Sequence, residues 1–113
     1  MLTRDQIFAK RTFPQQELAL PEFEGSVFVR TLSAGEFLAL NERIDADKAN
    51  AFAYWVVVGI ADADGQPLFT DADIGRLKEL PIGLVERMTN AVQRHNFLTK
   101  EEAKGKSKAR PAA

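Results

Sequence analysis

Asp62, Asp64, Asp71 and Asp73 crowd into one short stretch, and carboxylates gathered this way can hold calcium through their oxygens. The spacing argues against it. A calcium loop needs glycine at its sixth position and a bidentate carboxylate at its twelfth. Counted from Asp62, Gly65 comes fourth, and Pro67-Leu68-Phe69 fills the middle. These acids read better as a turn followed by helix-capping groups, which the positive end of a helix dipole stabilises. His95 is the single histidine and there is no cysteine. That excludes multi-imidazole metal sites, thiolate zinc, disulfide frameworks and cysteine nucleophiles. A general base also needs a nucleophile or a substrate cleft beside it, and nothing in the sequence supplies one. His95 therefore reads as a helix-end residue. The glycines are scattered rather than grouped into a phosphate-binding loop. No catalytic residue, metal, cofactor or small-molecule substrate is expected.

Charge gives a second set of exclusions. The 113 residues carry a net charge of -1, too little to draw the whole chain to nucleic acid or a membrane. The charge is uneven, however. Residues 99–113 hold five basic residues against two acidic ones, and no large apolar residue follows Leu98. Such a segment cannot bury enough surface to offset the entropy of ordering it, so it reads as a flexible basic tail. It could neutralise about three to five phosphates, weakly and with strong salt dependence. No aromatic residue is interleaved to stack on bases, which argues against nucleic acid as a partner. The longest apolar run, around Ala51 to Ala61, is well short of the roughly 20 residues that span a bilayer. No signal-peptide pattern opens the chain, so a cytoplasm is the expected compartment. Size and composition suit one domain, residues 1–98, with the tail at 99–113.

The elements that must position any site are punctuated by three similar helix starts. Thr3 with Gln6, Ser33 with Glu36, and Thr70 with Asp73 each pair a capping hydroxyl with a side chain that can bond back. Leu2 with Ile7, Leu32 with Phe37, and Phe69 with Ile74 are spaced to staple each start. Between the first two helices, Glu17 to Leu20 and Val27 to Leu32 flank a Phe23–Ser26 turn and predict a β-hairpin. Pro14 and Pro21 mark its first strand as an edge, because proline cannot donate to a ladder. Asp45-Ala46-Asp47 should end or bend the helix that starts at Ser33. A short helix is expected from Asp71 to about Leu80. Pro81 suits the first turn of a last helix, with Leu84, Val85, Met88, Ala91, Val92 and His95 on its apolar face. The fold class is α+β: a short helix, a hairpin, then a cluster of three to four helices.

The segment Ala49 to Ala61 stands out. Its β-branched run is compatible with a strand, while its length and alanine-rich start favour a helix. Its apolar residues point in nearly every direction, so the helix is either buried on all sides or facing a partner. Phe52, Tyr54, Trp55 and Val58 are the residues expected to line a partner or self-association surface. In the alternative, the hairpin and the last helix cover it completely.

The order of these elements is familiar. Val27-Phe28-Val29-Arg30-Thr31-Leu32-Ser33-Ala34-Gly35-Glu36, the stretch from Asp62 to Asp73 with its Asp-x-Asp-Gly and Leu-Phe-Thr pieces, and the ending Asn96-Phe97-Leu98-Thr99 occur in sequence. Together they resemble the tail assembly chaperones of long-tailed bacteriophages and prophages, over residues 1 to about 102. The resemblance implies a non-enzymatic protein of the host bacterial cytoplasm that is absent from the mature virion. It implies binding to the tape measure protein, which is kept soluble, and help in recruiting the tail tube protein. It also implies a longer product made by programmed frameshifting, for which the codons of Lys104-Gly105 or Gly105-Lys106 are candidates. A head–tail connector or tail terminator retained in the virion is the alternative.

Overall fold

The computed structural model describes residues 1–10 and 13–97. The predicted basic tail, the domain end at Leu98 and the frameshift codons lie outside the described residues. The order is helix α1 (Arg4–Ala9), strands β1 (Gln16–Leu20) and β2 (Gly25–Val29), helices α2 (Ala34–Ala46) and α3 (Ala51–Gly59), strand β3 (Ile60–Ala61), then helices α4 (Ile74–Leu77) and α5 (Ile82–Asn96). The class is α+β, as the sequence predicts.

β1 and β2 form the hairpin, antiparallel, with Leu18 opposite Val27 and Gln16 opposite Val29. This register puts Leu18, Leu20, Val27 and Val29 on the face that meets the helices, and it leaves β1 as an edge. Pro21 opens a turn of 3₁₀ helix, Pro21–Phe23, and Glu24 closes it in the left-handed region at φ 57°. The segment expected as one long helix divides. A 3₁₀ turn at Lys48–Asn50 precedes α3, and the last two residues leave the helix to pair with β2 as a third strand, Val29 opposite Ile60. Pairing offers the otherwise bare edge of β2 a partner, and Ile60 and Ala61 are fully buried there. The helix expected from Asp71 is likewise shorter, a 3₁₀ turn at Asp71–Asp73 followed by the single turn of α4.

The capping logic holds at all three starts. Thr3 and Gln6 close a full capping box, as do Ser33 and Glu36. At the third, the Asp73 carboxylate accepts from the Thr70 backbone N–H at 2.9 Å. The staples diverge. Leu32 with Phe37 and Phe69 with Ile74 pack against the core, whereas Leu2 and Ile7 stay exposed. No residue of α1 is buried.

The core lies where α3 crosses α5 beneath the hairpin. Val29, Val56, Ile60 and Val92 are its most completely buried large side chains. Removing each from water is worth about 1.5–3 kcal/mol. α5 supplies Leu84, Val85, Met88, Ala91 and Val92 to this core and turns Glu86, Arg87, Asn90 and Arg94 to solvent, as its periodicity predicts. Close approach of the helices depends on Gly59. A Cβ there would sit 2.4 and 2.6 Å from the two methyl carbons of Val92.

Candidate functional site

The residues that first suggested chemistry are engaged in structure. Asp62 Oδ1 accepts from the backbone N–H groups of Asp64 and Gln66 at 2.9 and 3.0 Å, so this carboxylate builds the turn after β3. Among the described residues no three acidic or imidazole groups gather to hold a metal ion. His95 Nε2 lies 2.9 Å from Thr31 Oγ1, which itself donates to the Pro14 carbonyl at 2.9 Å. Through Thr31 the imidazole thus ties the end of α5 to the segments that enter and leave the hairpin.

Beside it, Asn96 satisfies three backbone groups at once. Its Oδ1 accepts from Leu32 N–H at 2.7 Å, and its Nδ2 donates to the carbonyls of Arg30 and Val92 at 3.1 and 2.9 Å. Arg30 completes the junction by donating to Val58 O at 2.7 Å and to Glu36 at 2.9 Å. Burial pushes the Glu36 carboxyl up, but the Ser33 backbone N–H and the Arg30 guanidinium outweigh it and hold the carboxyl below its ordinary range. These polar groups lock β2, α3 and the ends of α2 and α5 together. Arg30, Thr31 and Glu36 also line a hollow of about 580 Å³ with Phe13, Leu32, Ser33 and Ala34, where the Arg30 guanidinium and the Glu36 carboxylate are already paired with each other.

The four residues singled out on α3 part company. Trp55 is only 9% exposed and packs against Phe37, with ring centroids 6.2 Å apart. Tyr54 is half-buried under the Arg43 guanidinium, and its hydroxyl donates to Asp47 at 2.8 Å. Val58 is half-buried against the core. Phe52 stands at the surface, 48% exposed. Trp55 therefore supports the helix from inside, and Phe52 is the member of the set that faces outward.

Phe52 opens onto a feature that one helix's sequence could not show. It lines a hollow of about 230 Å³ with Asn50, Ala53, Leu77, Ile82 and Val85. A second hollow, of about 380 Å³, lies between the hairpin tip and α5, walled by Leu20, Phe23, Val27, Phe69, Leu84 and Met88. A third, more polar, opens beside α4 between Leu68, Asp73, Arg76 and Glu79. All three meet at Leu80. Phe23, Phe52, Leu68 and Ile82 rim them, and each is a large apolar residue left exposed. Singly, such residues are ordinary; four around one groove form a patch of the kind that marks interaction sites. Asn50 Oδ1, in the wall, is shut off from solvent with no hydrogen-bond partner. Next to Phe23 and Met88 in the chain, Arg87 holds Glu22 in place at 2.9 Å, and that bond keeps the Glu22 carboxyl below its ordinary range. The result is a largely apolar groove around Leu80 whose more polar part lies beside Asp73, Arg76 and Glu79. The individual contributions of Phe23, Leu80 and Ile82 were invisible in sequence because they come from a hairpin tip, a loop and a helix start.

No family model matches the chain, and no curated protein does. Among solved structures its fold is similar to that of the bacteriophage HK97 tail assembly chaperone. The TM-score is 0.58 at 21% identity, over 78% of this chain and 88% of that one. At that identity the likeness is one of fold. It extends across most of both chains, so the similarity takes in the sheet and helices together rather than one motif. Among the described residues no helix is long and apolar enough to cross a membrane.

Proposed function

We propose that this chain is a tail assembly chaperone of a long-tailed phage or prophage, and that the groove around Leu80 is where it holds its client. The client is the tape measure protein. A long helical protein exposes apolar stripes until the tail tube closes round it, and uncovered stripes aggregate. A groove rimmed by Phe23, Phe52, Leu68 and Ile82 receives such a stripe in a helix-in-groove mode, with side chains three and four residues apart entering successive hollows. Tail tube subunits are then recruited to the complex in the host bacterial cytoplasm, and the chaperone leaves before the virion is complete. It performs no chemistry.

The carrying observation is the coincidence of two independent features: a fold shared with a phage tail assembly chaperone, and an unfilled apolar groove on that fold. Phe52 makes direct contact, while Tyr54, Trp55 and Val58 hold its helix in place. Co-expression with a tape measure protein from the same phage or prophage tests the reading. The wild-type chain should keep the client in the soluble fraction. Ile82→Glu and Phe52→Asp, at positions already 64% and 48% exposed, should fold normally and lose the client. Equal rescue by both variants would place the contact elsewhere. Recovery of the chain from purified virions would favour the connector or terminator reading instead.

A further inference from the structure

Leu80 stands where the three hollows of the groove meet, and it is the one residue that lines all of them. The chain that carries it is lightly held. Leu77 and Leu84 are buried anchors on either side, 3 and 6% exposed. Of the six residues between them, Lys78 to Gly83, five are exposed and only Leu80 packs against the core. The backbone bonds of this link are local. The N–H groups of Lys78, Glu79 and Leu80 donate to the carbonyls of Ile74, Arg76 and Leu77, and the Pro81 carbonyl accepts from Leu84 and Val85. Segments with few buried apolar contacts and only local hydrogen bonds open at low cost. Gly83 adds a pivot. A Cβ there would meet nothing within 4 Å, and no positive φ calls for glycine. What glycine contributes at this position is backbone freedom, at the expense of the first turn of α5.

We propose that the link Lys78–Gly83 is a flap and that Leu80 is a placeholder for the client. In the free chain the Leu80 side chain keeps the groove divided into separate hollows. When the flap swings on Gly83, with Leu77 still anchored, Leu80 withdraws and the hollows run together. An apolar side chain of the client helix then takes its place. One apolar side chain is exchanged for another, so burial at the centre is kept while the seat becomes continuous enough for a helix stripe. The inference rests on the groove being the client's seat. It adds that the open form of that seat is the minor one, so the apparent affinity of any occupant falls with the fraction open.

Gly83→Ala and Leu80→Ala, singly and together in the full chain, test it. The apolar dye anilinonaphthalene sulfonate probes the open groove, and the tape measure protein is the client. Alanine at position 83 touches nothing, so a rigid groove predicts no change in either ligand. A flap predicts that Gly83→Ala raises the melting temperature and weakens dye and client alike by about two- to fivefold, because the open form loses backbone freedom. In Leu80→Ala the place is already vacant. Both ligands should bind it more tightly than the parent, and adding Gly83→Ala should then change little. Unchanged dye binding by Gly83→Ala would overturn the proposal. So would an equal loss in both backgrounds, which would mean that position 83 acts by direct contact, or weaker binding of both ligands by Leu80→Ala. Should Leu80→Ala not fold, the dye measurement on Gly83→Ala decides alone. Dye responses as predicted, with no tape measure protein bound by any variant or by the parent, would leave the flap standing and sink the client reading.

Discussion

Replacing Gly59 by alanine tests the helix crossing that carries the groove. Gly59 ends α3, and the added methyl would lie 2.4 and 2.6 Å from the Val92 methyls and 3.0 Å from its Cβ. Carbon atoms pack at about 3.5–4.0 Å, so the overlap is about 1 Å or more on two contacts. Val92 cannot swing away: it is fully buried, and a β-branched side chain in a helix holds one strongly preferred rotamer. The helices must separate instead. Overpacking of this kind costs about 1–3 kcal/mol. Alanine's helix propensity offsets at most about 1 kcal/mol, and less at a last helical residue. A net loss of about 1–2 kcal/mol follows, which lowers the melting temperature by roughly 4–16 °C in a domain of this size. Urea titration at an unchanged m-value is the assay. Adding Val92→Ala should recover part of the loss, so that the double variant is more stable than the summed single effects by about 1 kcal/mol. A Gly59→Ala protein as stable as the parent would refute the close-approach argument.

The other expectations are local. Asn96→Ala leaves the Leu32 N–H and the Arg30 carbonyl without their partner, and calorimetry should show a loss of about 2–3 kcal/mol. Trp55→Glu should unfold the chain outright, since the indole is buried against Phe37; a folded Trp55→Glu protein by near-ultraviolet circular dichroism would contradict that placement. The Glu36 carboxyl is held below its ordinary value of 4.5 in the folded chain. Its contribution is therefore complete above that value and lost as pH falls below it. Glu36→Gln should lower stability at pH 7 and flatten the acid side of the urea-midpoint profile; an unchanged acid slope would show that the Arg30 and Ser33 contacts add nothing.

Much of this architecture could be read from local code, because local code is where its information lies. Ser33 with Glu36 and Thr3 with Gln6 fix helix starts through bonds only three residues apart. The alternation in Leu18–Leu20 and Val27–Val29 fixes the hairpin's inner face. What was hidden depends on distant partners. Ile60 and Ala61 read as helix by continuity, and they become strand because β2 lies beside them. Gly59 looked like one of several scattered glycines until Val92 was placed against it. Asn96, noticed only as part of a familiar ending, bonds backbone groups more than sixty positions earlier. The candidate site was half legible for the same reason. α3 plainly carried more apolar directions than a helix needs, but which of them stayed wet depended on Phe37, Arg43 and Asp47 covering Trp55 and Tyr54. Phe52 alone of the four remained at the surface, and its neighbours in the groove come from three other parts of the chain.

The seat of the client is the central claim, and amide hydrogen exchange measured with and without the tape measure protein tests it most directly. The account predicts slowed exchange at the hairpin tip, the start of α5 and the first turn of α3, around Phe23, Ile82 and Phe52, with the turn at Asp62–Gly65 unchanged. Protection confined to that turn or to the outer face of α5 near Glu86 and Arg94, or no protection at all, would contradict it.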